Sequence, residues 1–263
     1  MTTTESIELI HGDCLEVMKH IPDGSVDMIL ADLPYALTGN RWDTLIPFEP
    51  LWEAYRRVIV PNGAIVLTAA QPFTTALIAS NYKDFRYCWV WEKNQATGFN
   101  NAKRRPLKAT EDVVVFNATA YNPQGLRPCG KVAHNSKHRT TKGAALSSQR
   151  GGTYQASYVQ EFTGYPRNVL KFSVEKGLHN TRKPVPLFEY LIRTYTNPGE
   201  LVLDNCMGSG TTAVACIQSG RRFIGIEKDP VYFAAAQQRI RDTHRNLFTQ
   251  EAYDAESIDA LAA

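Results

Sequence analysis

Between residues 201 and 227 the chain runs Leu201-Val-Leu-Asp204, then Asn-Cys-Met-Gly-Ser-Gly210, then Thr211 to Ser219, and finally Arg222-Phe-Ile-Gly-Ile-Glu227. The first run is short and apolar, as a buried strand must be. It turns through Gly208 and Gly210 into a helix of small residues, and a second strand from Arg222 to Ile226 ends at an acid. Glycines let the backbone approach a ligand closely, and a carboxylate after the second strand can accept hydrogen bonds from ribose hydroxyls. The unit therefore reads as a strand, turn, helix and strand that holds a nucleoside. The third glycine of a dinucleotide fingerprint would fall at Ala213, and no lysine of the Walker type follows. A nucleoside without phosphates fits better than NAD or ATP.

The same alternation appears earlier in the chain. Val26-Asp-Met-Ile-Leu-Ala31 is a buried strand entering the turn Asp32-Leu-Pro-Tyr35. Leu51 to Val60 carries a helical pattern that stops at Pro61-Asn-Gly63, and Ala64-Ile-Val-Leu-Thr68 is the next strand. A helix is expected from Pro72 to Ser80, strands at Tyr87–Trp91 and Val113–Phe116, a helix from Val185 to Tyr195, and a last helix from Pro230 to about Arg241 with a frayed tail. This order predicts an α/β fold with a mostly parallel sheet covered by helices on both faces. Residues 117–168 break the pattern. They are rich in Gly, Ser, Thr, Asn, Gln and basic residues, with Tyr121, Tyr154, Tyr158, Phe162 and Tyr165 interleaved, and show no regular period. So long a stretch is expected to be a functional loop region or a small accessory lobe.

Charge is divided unevenly. Residues 94–178 hold thirteen Lys or Arg against four acids, a balance of +9, so with +3 overall the rest of the chain carries −6. A basic segment inside an acidic protein suggests a surface that faces a polyanion. The candidate phosphate contacts are Lys103, Arg104, Arg105, Lys108, Arg127, Lys137 and Arg139. No apolar run approaches a membrane span, and the first residues lack the basic start and apolar stretch of a secretory signal, so a cytoplasmic protein is expected. The five cysteines are scattered, odd in number and form no Cys-x-x-Cys pair, which is read as reduced thiols. His134 and His138 have no Cys or carboxylate set to complete a metal site, and no metal is expected.

The turn Asp32-Leu-Pro-Tyr35 carries a second chemistry. An amino group conjugated to a base ring is a poor nucleophile, because its lone pair is delocalised. A carboxylate and a backbone carbonyl accepting its two N–H bonds would return density to nitrogen as it attacks a methyl sulfonium. Asp32 and the carbonyl of Leu33 would be those acceptors, with Pro34 stiffening the turn and Tyr35 stacking on a base drawn out of the duplex.

With both constellations in order, the chain resembles the permuted, or beta-type, amino-methylating DNA methyltransferases, the N6-adenine and N4-cytosine family, in which the catalytic motif precedes the cofactor motif. The resemblance covers most of the chain. The family's Gly-Asp is matched by Gly12-Asp13, and its (D/N/S)-P-P-(Y/F/W) by Asp32-Leu-Pro-Tyr35. His-Pro-Thr-Gln-Lys-Pro is matched by His179-Asn-Thr-Arg-Lys-Pro184, and Asp-Pro-Phe-x-Gly-Ser-Gly-Thr-Thr by Asp204-Asn-Cys-Met-Gly-Ser-Gly-Thr-Thr212. It implies a Rossmann-like methyltransferase fold and S-adenosylmethionine as cofactor. Asp13 would contact the cofactor adenine, Lys183 would lie near its methionine carboxylate, and Glu227 would hold the ribose. Asp204, Met207, Gly208, Ser209, Gly210 and Thr211 would line the same site.

The resemblance further implies a division into a catalytic half (1–93), a basic target-recognition region (94–178, including the strand near 112–116) and a cofactor half (179–263). Double-stranded DNA would be the partner, and the family allows a homodimer and a companion restriction endonuclease. Leu33 stands where the family has its first proline, which loosens the turn but keeps the backbone carbonyl. Asn205 and Cys206 replace Pro-Phe. In the family, Asp at the first catalytic position usually accompanies adenine and Ser cytosine, so Asp32 favours adenine N6 over cytosine N4. A transferase acting on RNA or a protein glutamine generally has its motifs in the reverse order. A DNA-binding protein with a disused pocket, or a nicotinamide enzyme, is a third alternative, disfavoured by the intact motifs and the missing phosphate site.

Overall fold

A computed structural model of the chain describes residues 7–35, 44–134, 157–174 and 182–261. Lys137, Arg139, His138 and the segment from His179 to Thr181 lie outside the described residues. The chain divides into two compact units, one formed by residues 1–122 with 168–263 and the other by residues 123–167.

The elements of the larger unit begin with β1 (Ile7–His11), α1 (Cys14–Met18), β2 (Val26–Ala31), α2 (Phe48–Val58), β3 (Ile59–Ala69), α3 (Phe73–Ser80), β4 (Phe85–Thr97) and β5 (Lys108–Phe116). The smaller unit holds β6 (Arg127–His134) and β7 (Ser157–Thr163). The larger unit then resumes with β8 (Val169–Lys171), α4 (Val185–Tyr195), β9 (Leu201–Asp204), α5 (Thr211–Ser219), β10 (Arg222–Glu227) and α6 (Pro230–Leu261).

Eight strands form one sheet in the order β1-β10-β9-β2-β3-β5-β4-β8. Its pairings are parallel except where β5 meets β3 and β4, so β5 alone runs against the rest. Covering such a sheet on both faces requires strands apolar on both sides. The run of β2 supplies this: Met28 and Leu30 enter a core with α4, α5 and α6, whereas Ile29 and Ala31 enter another with α2 and α3. No described helix is long and apolar enough to cross a membrane.

The sheet has a switch point that locates the site. From β9 the chain crosses through α5 outward to β10, and from β2 it crosses through α2 in the opposite direction to β3. β2 and β9 are themselves neighbours, with Met28 opposite Val202 and Ile29 opposite Leu203. Loops leaving their carboxyl ends therefore diverge over opposite faces and leave a crevice between them.

Three local expectations need correction. The helix read to Val60 ends at Val58, and β3 begins at Ile59, which pairs with Val26. The pairing captures residues whose local pattern is helical. Gly63 sits inside this strand because a Cβ there would lie 2.7 Å from the Asp27 carbonyl oxygen. β4 and β5 are also longer than the apolar runs that signalled them, because Glu92–Thr97 and Lys108–Glu111 continue the ladder as an exposed or half-buried ribbon. The aperiodic stretch 117–168, read as a loop region or a small accessory lobe, contains the compact unit 123–167 with the antiparallel pair β6 and β7, in which Val132 faces Val159. Most described β7 side chains are exposed, so there is no buried face to impose a period of two. Finally, α6 continues past Arg241 to Leu261.

Candidate active site

A cavity of about 540 Å³ occupies the crevice at the carboxyl ends of β2 and β9. Asp32 and Pro34 line it from one side, and Asp204 to Ser209 with Thr211 and Thr212 from the other. Gly12 and Asp13, Lys183, and Glu227 to Pro230 complete much of the wall. Residues almost two hundred positions apart in the sequence thus meet in one hollow.

The Gly-rich turn is shaped by two left-handed residues, Gly208 (φ +53°) and Gly210 (φ +78°), a conformation that a Cβ disfavours. Gly210 has a further reason, since a Cβ would come within 3.2 Å of the Ala236 Cβ on α6. The Gly208 N–H donates to Glu227 Oε2 at 2.9 Å and the Asp229 N–H to Oε1 at 2.8 Å. Glu227 is held by two donors, while a carboxylate offers about four lone-pair sites, so capacity for further donors remains. Asp13 caps α1 by accepting from the Leu15 N–H at 3.0 Å and pairs with Lys228 at 3.0 Å. That hydrogen bond to Lys228, with the capping bonds, outweighs burial and holds the Asp13 carboxyl below its ordinary range. The Gly12 N–H donates to the Glu227 carbonyl at 3.0 Å, which brings the ends of β1 and β10 together.

Asp204 serves the turn itself. Its Oδ1 accepts from the Cys206 N–H at 3.0 Å and its Oδ2 from the Thr212 hydroxyl. Burial pushes its carboxyl up to about 7, against the lowering effect of those two bonds. Asn205, which stands where the family pattern has proline, accepts a 2.6 Å hydrogen bond from the buried Tyr55 hydroxyl of α2. The departure from the pattern thus ties the turn to the opposite face of the sheet. Arg239 of α6 donates to the Thr211 hydroxyl oxygen at 3.0 Å.

Around Asp32 the arrangement is denser than the sequence suggested. Tyr35 donates its hydroxyl to Asp32 Oδ1 at 2.7 Å, the Thr68 hydroxyl at the end of β3 donates to the same oxygen, and Lys183 Nζ donates to Oδ2 at 2.6 Å. Burial, with the charges of Asp32 and Glu111, holds the Tyr35 phenol well above its ordinary range, so it stays a neutral donor. Its ring stacks on Phe73 with centroids 4.9 Å apart, and Lys183 Nζ stands 5.6 Å from its centroid. Leu33 packs into the core, 4% exposed, and so anchors the turn from within.

Lys183 also lies 3.4 Å from Glu111 Oε2, and Glu111 Oε1 receives Lys93 Nζ at 2.5 Å. Four charges alternate in a row: Lys93, Glu111, Lys183, Asp32. Burial works against the Lys183 ammonium, yet the two flanking carboxylates outweigh it and raise its affinity for the proton. The sequence motifs point to Asp32 and Lys183 but not to Thr68, Lys93 or Glu111. These lie on strands as isolated polar residues, and only the pairing of β3, β4 and β5 brings them to one spot.

The basic candidates separate by unit. Lys103, Arg104 and Arg105 are exposed in the connection between β4 and β5, and Lys108 opens β5. β3 ends at Ala69 opposite Asp112, so residues 108–111 extend beyond it at the end of the sheet that carries Asp32. Phe99, 79% exposed, belongs to the same connection. Arg127 is exposed at the start of β6 in the smaller unit. Among the described residues no group of three or more His, Cys, Asp or Glu could hold a metal ion.

A family profile described as DNA methylase, covering N6 and N4 enzymes, matches residues 26–238. DNA adenine methyltransferase YhdJ of Escherichia coli (strain K12) is 30% identical over 257 residues, which span 90% of this chain and 83% of that protein. Among solved structures, the M1.HpyAVI–SAM complex aligns with a TM-score of 0.58 at 27% identity, over 89% of this chain and 99% of that one. The cytosine-N4-specific PvuII DNA methyltransferase aligns with a TM-score of 0.64 over 94% of both chains; at 19% identity that likeness concerns the fold.

Proposed function

The chain belongs to the N6/N4 DNA methylase family and is a DNA amino-methyltransferase, and we propose that the group it methylates is the exocyclic N6 amino group of adenine. One observation carries the reading: the Asp32 turn and the Gly208–Gly210 turn face a common cavity. Asp32 in the first catalytic position and the likeness to an adenine methyltransferase favour adenine over cytosine.

S-adenosylmethionine is the donor, and the cavity suits it. Five carboxylates (Asp13, Asp32, Asp204, Glu227, Asp229) and three bases (Arg182, Lys183, Lys228) line the wall, a balance that favours a cationic nucleoside and disfavours a polyphosphate. When bound, this cofactor supplies a methyl group made electrophilic by a sulfonium sulfur. Glu227 would accept from the ribose hydroxyls, Asp13 would contact the cofactor adenine, and the turn from Asp204 through Met207, Gly208, Ser209, Gly210 and Thr211 would hold the rest. Lys183 would lie near the methionine carboxylate.

The chain's own part in the reaction is to prepare the nucleophile. Asp32 and the Leu33 carbonyl accept the two amino N–H bonds, raising electron density on nitrogen. A new N–C bond then forms as the C–S bond breaks with its electron pair passing to sulfur, and the surplus amino proton passes to Asp32. Tyr35 supports the extruded base. Lys103, Arg104, Arg105 and Lys108 of the larger unit would contact phosphates, and Arg127, Lys137 and Arg139 are candidates for the same role, within a recognition region read as residues 94–178.

Incubating duplex DNA with labelled S-adenosylmethionine and analysing the nucleosides by mass spectrometry tests this. N6-methyladenine is expected. N4-methylcytosine would overturn the choice of base, and intact cofactor binding with no label in DNA would overturn the activity.

A further inference from the structure

Glu111 takes no part in the transfer step, yet it lies behind the reacting groups as a half-buried carboxylate whose Oε2 is buried. Its Oε2 accepts no hydrogen bond among the described residues, although Lys183 Nζ stands 3.4 Å away. Leaving a buried carboxylate oxygen without a donor is costly. Its other oxygen is fixed by Lys93, whose side chain is only 8% exposed.

Lys183 meanwhile occupies both groups that the target base is read as using. It holds Asp32 Oδ2 at 2.6 Å and stands 5.6 Å from the Tyr35 ring centroid. An amino group that takes the remaining lone pair of Asp32 Oδ2 must share that oxygen with an ammonium beside the stacking ring, which competes for its electron density, so the carboxylate acts most strongly on the amino group once that ammonium withdraws. A buried ammonium in turn withdraws only toward another anion, since stranding it unpaired is prohibitive; beside the cofactor carboxylate that Lys183 is read as reaching, Glu111 Oε2 is the protein anion at hand.

We propose that Glu111 is a positioning residue that receives the Lys183 ammonium when the target amino group engages Asp32, so that the carboxylate is freed without stranding a buried charge. This rests on the reading of Asp32 as the amino-group acceptor. The displacement is short, because Glu111 Oε2 is already within ion-pair distance. Lys93 keeps the receiving carboxylate aimed. The row of four charges remains neutral in both arrangements.

The test compares the full-length wild type, Glu111→Gln, Lys183→Met and the double variant at saturating S-adenosylmethionine. Turnover is measured on duplex DNA, and dissociation constants for cofactor and DNA by calorimetry. Glu111→Gln should lower kcat by about 100-fold, the scale of losing one preorganised electrostatic partner, while both dissociation constants stay within about 3-fold. In the Lys183→Met background, where the cofactor contact of Lys183 is already lost, Glu111→Gln should instead change kcat by less than about 3-fold, because the ammonium that Glu111 receives is gone.

A merely structural Glu111 would lower the melting temperature and cost turnover equally in both backgrounds, and a double variant about 100-fold slower than Lys183→Met overturns the proposal. Should Glu111→Gln not fold, Glu111→Asp, which draws the carboxylate back from Lys183 without removing its charge, is put through the same comparison, with its effect expected to vanish in the Lys183→Met background. A wild type that binds cofactor but methylates no DNA would overturn the acceptor role of Asp32 itself. An active wild type with a Glu111→Gln variant at full kcat would overturn only the role of Glu111.

Discussion

Replacing Asp32 by alanine removes one end of the charge row Lys93–Glu111–Lys183–Asp32 and leaves it with a net positive charge around a 7% exposed lysine. Truncating one member of a fully buried ion pair costs about 3–5 kcal/mol. Here the loss should be smaller. The Asp32 side chain is 32% exposed, and Glu111 remains 3.4 Å from the stranded ammonium. Together these leave about 1–2 kcal/mol, which in a chain of this size lowers the melting temperature by roughly 2–8 °C. The protein should therefore fold and bind cofactor, with a dissociation constant changed by less than about 5-fold, equivalent to about 1 kcal/mol. Transfer should fall much further, because the same oxygen both polarises the amino group and receives its proton. A preorganised electrostatic contact and a general base each contribute about 100-fold or more, so a loss of at least about 10³-fold in single-turnover rate is expected. Tritiated methyl incorporation into DNA, calorimetry with S-adenosylmethionine and a thermal melt on one preparation give the three readings. Transfer within about 10-fold of wild type in folded, cofactor-competent protein would refute the acceptor role.

Other expectations follow from the same geometry. Glu227→Ala should weaken S-adenosylmethionine binding by roughly 10–100-fold, since it removes the ribose acceptor and releases the Gly208 and Asp229 N–H groups; an unchanged dissociation constant would contradict the role. Asp204, with a carboxyl raised from an ordinary 3.8 to about 7, holds a proton in the folded chain that the unfolded chain has already released. Its contribution to stability therefore falls as pH rises from about 4 to about 7 and is level above; urea titrations of wild type and Asp204→Asn should differ by an amount that declines over that window and no other. Tyr55→Phe strands the buried Asn205 acceptor and should cost about 1–3 kcal/mol in denaturant unfolding, whereas an unchanged midpoint would show the bond to be idle. Replacing Lys103, Arg104 and Arg105 by alanine should reduce the slope of log affinity against log salt by about 0.9 for every phosphate that the variant no longer neutralises, and an unchanged slope would remove that connection from the DNA interface.

What could be read without coordinates was whatever local chemistry announces. A strand buried on both faces must be apolar along its buried run, so residues 28–31 and 201–203 declared themselves. A left-handed turn asks for glycine, so Gly208 and Gly210 marked the cofactor loop. The order of the two motifs along the chain carried the family. Elements held by pairing alone left weaker traces. β6 and β7 expose most of their described side chains and so show no alternation, and Ile59–Val60 carry a helical pattern that the ladder with β2 overrides. The site's electrostatics were beyond local reading altogether. Thr68, Lys93 and Glu111 are unremarkable residues on three strands, and nothing within ten positions of any of them names its partner. Coulomb interactions act through space, and only the register of β3, β5 and β4 against one another sets which charge lies within 4 Å of which.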